Sequence, residues 1–309
     1  MNEDKDQNIK VNANKYVVSV IVATYRRVVE LKNALISLIT QTYNFTEIIV
    51  VDDNADKKWN EDVKEVIYFI ANIHNREIIY IRNEFNMGSA ETRNIGIRNS
   101  TGDYVTFLDD DDIFLPQKVE NQLNHMLESD ADFSITDLYL YDENDKLIEK
   151  RTRKYIKRYS KDFLLRYHLM YHMTGTDTLM FKREYLLKIG GFPKINIGDE
   201  FYLMQKAIEY GGKFSYFPRC DVKAYVHTKT KGLSSGYGKI QGENNLYLYK
   251  KRYFQELPMK SRRYITMRHY AVLAFTELRR KRYGHCIFYI IKSFITSPLD
   301  CTLLFIQRK

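Results

Sequence analysis

Four consecutive aspartates, Asp109, Asp110, Asp111 and Asp112, follow directly on Val105, Thr106, Phe107 and Leu108. Adjacent carboxylates repel one another, so they are stable together around a cation or spread on a solvated loop. Here Ile113, Phe114, Leu115 and Pro116 turn the chain back to apolar character at once, which argues against a solvated acidic tail. Oxygen ligands of this kind suit Mg²⁺ or Mn²⁺. A charged loop without a ligand is the plainer reading, since blocks of like charge are usually solvated. Two further acid pairs stand out, Asp52 with Asp53 and Asp199 with Glu200. The second pair opens a helical pattern, where the helix dipole alone favours acids.

The elements that must position these acids alternate. β-branched runs at 16–24, 47–51, 78–81 and 105–108 read as strands. The spacing of apolar residues predicts helices over 30–40, 60–73 and 90–99 between them. This β-α-β-α-β-α-β order predicts an α/β fold with a mostly parallel sheet covered on both faces. In such sheets ligands bind at the carboxyl ends of the strands. Thr24, the Asp52–Asp53 pair and the four aspartates all fall at strand ends. No GxGxxG and no P-loop is present. Beyond the acids, a helix is predicted over 117–129, a strand over 133–137 and a hairpin or edge segment over 138–147. The basic stretch 150–161 reads as a solvated face. A strand is expected over 178–181, a helix after Asp199, and two strands over 214–217 and 222–226. The Gly/Ser/Lys segment 229–242 has the character of a lid.

The chain has 309 residues, 44% hydrophobic and 28% charged, which is globular composition. Its three cysteines, Cys220, Cys286 and Cys301, are far apart, so neither a disulfide framework nor a cysteine metal site is expected. A reducing, cytoplasmic compartment fits them. Residues 1–15 are polar, with no signal peptide evident, and no apolar run has the length of a spanning helix. The net charge of +9 is uneven: residues 250–309 carry a net +11 and the remainder a net −2. Such a tail calls for an anionic partner or a membrane surface.

Taken together, several segments resemble the family 2 glycosyltransferases, inverting, metal-dependent enzymes of the GT-A fold. Residues 18–25 are similar to the family's first strand and loop, and residues 48–54 to its VDDxS strand end. Asn86, Gly88, Arg93, Asn94, Gly96 and the Gly102-Asp103-Tyr104 triplet look like the lead-in to its FLDxDD motif, here residues 107–112. Gly190-Gly191-Phe192 and Gly198-Asp199-Glu200 look like its GGF…GED segment, with the usual Glu-Asp order inverted. The match covers about residues 16–228. It implies a GT-A catalytic domain at 16–242, Rossmann-like, between a polar segment at 1–15 and a helical extension at 243–309.

The resemblance also implies roles. Asp111 would be the direct metal ligand, with Asp109 and Asp110 meeting the ribose or the hydrated ion. Asp53 would accept a hydrogen bond from a uracil, with Asp52 beside it. Ala23, Thr24 and Tyr25 would line the nucleotide, Arg93 would neutralise its charge, and His227 would lie near the diphosphate or metal. The acceptor hydroxyl needs a base on the face opposite the leaving group. The second acid of the pair points to Glu200, while the inverted order keeps Asp199 open. The implied partners are a nucleotide-sugar donor, usually UDP-linked, and a glycan or polyprenyl-linked acceptor for polysaccharide biosynthesis.

The apolar, basic tail suits helices lying at the inner leaflet, that is, peripheral membrane contact. A buried C-terminal bundle or a dimer face is the plainer alternative. A nucleotidyltransferase would need a triphosphate loop that the sequence lacks. Nucleic-acid binding is disfavoured by the acids of the catalytic half. A non-catalytic sugar-nucleotide binder would not need the full set of carboxylates.

Overall fold

The computed structural model describes residues 16–195, 198–226 and 237–306. Its first half is a parallel sheet. β1 (Val18–Thr24) lies between β2 (Thr46–Asp52) and β4 (Tyr104–Asp109), and β3 (Ile78–Arg82) flanks β2. The β-branched residues of β1 and β2 are almost wholly buried, as expected of strands covered on both faces. Register aligns Thr24 with Asp52, Ala23 with Asp109, and Asp52 with Arg82, so the predicted ligand-bearing ends share one edge.

The intervening helices are α1 (Val28–Ile39), α2 (Lys57–His74) and α3 (Ser89–Asn99). α1 buries Leu31, Ala34, Leu35 and Leu38, the stripe that its apolar spacing predicts. α2 is capped by Asp56, whose side chain accepts from the Trp59 N–H at 3.1 Å. α3 presses closely on β1, because a Cβ at Gly96 would overlap the Ile21 side chain. Gly88 precedes α3 at φ 78°, a conformation that favours glycine.

The second half of the sheet is mixed. β5 (Ile113–Phe114), α4 (Lys118–Glu128), β6 (Phe133–Asp142) and β7 (Leu147–Arg151) are followed by α5 (Lys161–Tyr171) and a short 3-10 turn (Thr176–Thr178). Then come β8 (Leu179–Lys182), α6 (Arg183–Lys188), α7 (Asp199–Glu209) and β9 (Phe214–Val226). β8 runs antiparallel between β4 and β6, giving the order β3-β2-β1-β4-β8-β6-β9-β5, with β7 on β6. The two strands expected over 214–226 are one strand, β9. Its pairing with β6 shifts register near Asp137, which accommodates the Pro218 region without a break. In the basic stretch, Arg153 departs from the solvated reading: it is 2% exposed and donates to the Met173 and Thr136 carbonyls.

The C-terminal region consists of α8 (Tyr237–Lys251), α9 (Met259–Arg279), α10 (Tyr283–Thr296) and α11 (Pro298–Ile306). The boundary expected at residue 243 falls inside α8. Leu246, Leu257 and Ile265 from this region pack with Leu169 and Met170 of α5 and Phe201 of α7. Among the described residues no helix is long and apolar enough to cross a membrane. Of the segment read as a lid, residues 229–236 lie outside the described residues, and the rest is helix.

Candidate active site

The loop after β1 is fastened to the acidic run. Asp110 accepts from Thr24 Oγ1 (2.8 Å), the Tyr25 N–H (3.1 Å) and Arg27 Nη1 (2.9 Å). Burial pushes its pKa up to about 7, with Arg27 opposing and Asp111 adding to the rise. Arg27 also pairs with Asp111 at 2.6 Å. Asp110 is thus a buried staple, and the Thr24–Tyr25 loop is held against the end of β4.

Asp52 and Asp53 divide their work. Asp52 is fully buried and takes hydrogen bonds from the Asn54 N–H and Nδ2, Asn60 Nδ2 and Tyr80 Oη, all within 2.9 Å. Its lone pairs are committed to the protein. Asp53 accepts from Asn83 Nδ2 and the Met87 and Gly88 N–H groups at 2.7–2.9 Å, and so holds the loop that enters α3.

Arg93 links the two acid clusters. Its Nη2 meets Asp109 Oδ1 at 2.6 Å and its Nη1 meets Asp199 Oδ2 at 2.9 Å. Burial opposes its charge, but Asp109 and Asp199 outweigh that and raise its pKa. Asp199 is 5% exposed and its pKa is pushed up to about 6 by burial, with Arg93 opposing. The neighbouring Glu200 touches Asp199 as well, but its side chain stays 22% exposed and Oε1 lies 3.2 Å from His172 Nε2. Of the two candidate bases, Asp199 is tied to Arg93 and Glu200 keeps solvent access.

Asp109, Asp112 and Asp177 bring one carboxylate oxygen each within 4.8 Å of one another. Asp177 Oδ1 accepts from the Asp109 N–H at 2.6 Å, and Asp112 Oδ1 from the Tyr225 N–H at 2.8 Å. Burial raises the pKa of both Asp112 and Asp177, and the two carboxyl groups share a hydrogen bond, which requires a proton between them. The set is all oxygen, the donor type that a hard divalent ion takes, and an ion there would displace the shared proton. Asp111, the residue on which the ligand role was expected, lies outside this triplet and pairs with Arg27. His227 lies outside the described residues.

Asp177 and His172 come from the aromatic- and histidine-rich stretch 167–177, which the sequence suggests would face the acceptor without giving either residue a role of its own, and Arg27 had no role assigned. The histidines and the aspartate of 167–177 have no periodic signal. Arg27 sits three residues past Thr24, close enough to the strand end to have been noticed.

The family model for glycosyl transferase family 2 matches residues 19–190. A glycosyltransferase of Methanocaldococcus jannaschii is 29% identical over 225 residues, 72% of this chain and 74% of that one. The Escherichia coli enzyme WfaP, a UDP-Glc:alpha-D-GlcNAc-diphosphoundecaprenol beta-1,3-glucosyltransferase, is 32% identical over 125 residues, 40% of this chain. The chain spans less than half the length of several of these relatives, 47% of WfaP and 18% of a Rickettsia bellii glycosyltransferase. Among solved structures, S. aureus TarS 1-349 in complex with UDP-GlcNAc superposes with a TM-score of 0.60 at 15% identity, covering 90% of this chain and 91% of that one. The Pyrobaculum calidifontis mannosyltransferase PcManGT, in complex with GDP-Man and Mn²⁺, gives 0.57 at 17% identity, covering 92% and 88%. The fold is therefore GT-A, and the chain is a glycosyltransferase that belongs to glycosyl transferase family 2.

Proposed function

We propose that this enzyme transfers a sugar, with inversion, from a UDP-sugar to a hydroxyl of a glycan or lipid-linked acceptor in polysaccharide biosynthesis. The observation that carries the reading is the division of labour between Asp199 and Glu200. Arg93 ties Asp199 to Asp109 at the end of β4, while the adjacent Glu200 stays accessible on the same helix turn. Glu200 is the base. It takes the proton from the acceptor hydroxyl as that oxygen bonds to the anomeric carbon, and the bond from that carbon to the diphosphate oxygen breaks. Ala23, Thr24 and Tyr25 line the nucleotide on the loop that Asp110 holds, and Asp53 faces the base ring. Arg93 acts from behind, fixing Asp109 relative to α7.

Asp109 and Asp111 would hold a Mg²⁺ or Mn²⁺ ion, the role that the family resemblance implies for them. When bound, it neutralises charge on the departing diphosphate. Asp109 and Asp111 keep side chains 33% and 11% exposed, whereas Asp112 and Asp177 are nearly fully buried, and an ion there would displace the contacts of Arg93 and Arg27. A second reading places the ion among Asp109, Asp112 and Asp177, favoured by their convergence.

The reading includes a peripheral position at the inner leaflet of the membrane. Ile287, Phe288, Ile291, Phe294 and Ile295 of α10 and Leu299 of α11 are each at least 49% exposed, a continuous apolar face beside Arg282 and Lys292. Such a face suits an interfacial helix pair. A cytoplasmic enzyme acting on a lipid-linked acceptor would benefit from it. Self-association through this face is the competing use.

Thermal unfolding with UDP, GDP, CDP and dTDP, each with Mn²⁺, Mg²⁺ or EDTA, tests the donor. A ligand that binds only the folded state raises the melting temperature by mass action. A metal-dependent shift with UDP alone is expected. No shift with any nucleotide would refute the reading.

A further inference from the structure

Two histidines one turn apart at the end of α5 close on the first turn of α7. His168 is fully buried, and its Nε2–H donates to the Phe201 carbonyl at 2.8 Å. Its ring stacks on that of Phe201, with centroids 4.0 Å apart. His172, which caps α5, brings its Nε2 to 3.2 Å from Glu200 Oε1. The His172 ring meets Phe201 at 5.0 Å and His168 at 6.1 Å. One histidine thus holds the backbone next to Glu200, and the other holds the Glu200 side chain itself.

His172 lies in the left-handed region, at φ 55°, while its N–H still closes the helix on the His168 carbonyl at 2.9 Å. Residues with a β-carbon seldom adopt that conformation, and such positions cluster where a side chain must be aimed. A carboxylate only accepts, so the contact with Glu200 requires the proton on Nε2. Burial, and then Lys250 and Arg268, hold the imidazole well below its ordinary pKa, with Glu243 opposing, so it donates as a neutral ring. A neutral donor orients a carboxylate without the adjacent cation that would weaken it as a base, which is what Arg93 is to Asp199. Glu200 also touches Asp199, yet a carboxylate offers about four lone-pair sites, so acceptor positions remain.

We propose that His172 is a positioning residue for the base: through Nε2–H it fixes one oxygen of the Glu200 carboxylate and leaves the other to meet the acceptor hydroxyl. The inference rests on Glu200 being the base. The proton taken from the hydroxyl ends on Glu200, and His172 keeps its own throughout. Holding the carboxylate in one orientation removes the cost of ordering it at each turnover.

The test uses the full chain with Mn²⁺ and either UDP-glucose or UDP-GlcNAc, following UDP release with water in the acceptor's place. His172→Phe keeps an aromatic ring and loses the donor. His172→Gln loses the ring and keeps an N–H the same number of bonds from the backbone. The expected result is a fall in kcat of roughly tenfold or more in His172→Phe, a donor KM changed less than about twofold, and recovery of most of the loss in His172→Gln. In the Glu200→Gln background, His172→Phe should bring no further loss. A His172→Phe enzyme as fast as the wild type, or a His172→Gln enzyme as slow as His172→Phe, overturns the proposal.

A second measurement needs no turnover. Nitrogen NMR of the histidine-labelled protein should show His172 protonated at Nε2 at neutral pH, with a resonance that moves in Glu200→Gln and is absent from His172→Gln. An Nε2 without a proton, or a resonance unmoved by Glu200→Gln, also overturns the proposal. Full UDP release by Glu200→Gln removes the base assignment and the proposal with it, whereas loss of release in Glu200→Gln but not in His172→Phe removes the proposal alone.

Discussion

At the carboxyl ends of β1, β2 and β4, Asp52, Asp53 and Asp110 each accept at least three hydrogen bonds from the protein. At the start of α7, Glu200 keeps a side chain 22% exposed, 3.2 Å from His172 and against its neighbour Asp199, and Lys250 of α8 lies over the Phe201 ring. The first region is built before anything binds: its acids hold two loops at fixed distances from the end of β4. The second is more open, and its Glu200 carboxylate is less committed to the protein. Preorganisation of this kind serves a group that every turnover must place identically, such as a nucleotide diphosphate. A carboxylate that keeps solvent access can still meet a hydroxyl brought by a second reactant.

The largest effect should come from the second region. Glu200→Gln should lower kcat by roughly 10²–10⁴ while leaving the UDP-induced melting shift intact; Asp199→Asn should instead lower folding stability as well. If Glu200→Gln turned over normally and only Asp199→Asn were inactive, the roles of the two acids would be reversed.

Next comes the link between the two regions. Arg93→Met leaves Asp109 and Asp199 facing each other without their shared cation. The loss should be about 3 kcal/mol in urea unfolding, the scale for breaking a buried ion pair. A change below about 0.5 kcal/mol would mean that the bridge is dispensable.

The acid cluster offers a sharper test. Burial raises the pKa of Asp112 and Asp177 in the folded protein, that of Asp177 from 3.8 to about 7. The folded state therefore binds more protons than the unfolded one in that window. Without metal, this pair's contribution to stability should fall as pH rises from about 4 to 7. An ion among Asp109, Asp112 and Asp177 would have to displace that proton, so the Mn²⁺-induced melting shift would grow with pH and vanish in Asp177→Asn. Held by Asp109 and Asp111, the ion should give a shift that survives Asp177→Asn and is lost in Asp111→Asn.

The smallest expected effect concerns the outer face of α10. Replacing Ile291 and Phe294 together by Glu should abolish flotation with anionic liposomes while changing kcat on a soluble acceptor less than about twofold, since the face lies outside the cleft. Unchanged flotation would dismiss the membrane reading, and a loss of dimer on light scattering would replace it with self-association.

The alternation of buried strands and amphipathic helices over residues 16–112 was legible because each element there carries its own period. Strands buried on both faces read as β-branched runs, and α1 shows its apolar stripe directly. β8 and β9 were harder. β8 enters beside β4 from 70 residues away, and β9 bends through a register shift that local pattern does not encode. The acidic motif and the Asp199–Glu200 pair were visible as residue types, and their resemblance to a family ordered them. That resemblance did not distinguish Asp199 from Glu200, because both sit in the first turn of one helix and differ only in what each faces.

The sequence by itself determined the strand-helix alternation, the placement of acids at strand ends and the uneven charge that marks the C-terminal region, all of them local or compositional. Only the tertiary structure decided that Arg93 joins Asp109 to Asp199, that Asp177 reaches Asp112, and that Lys250 comes to lie over Phe201. Those contacts span from 16 to more than 100 residues of chain. They arise where helices from distant segments pack against one sheet edge, and their energies depend on burial that no short window of sequence contains.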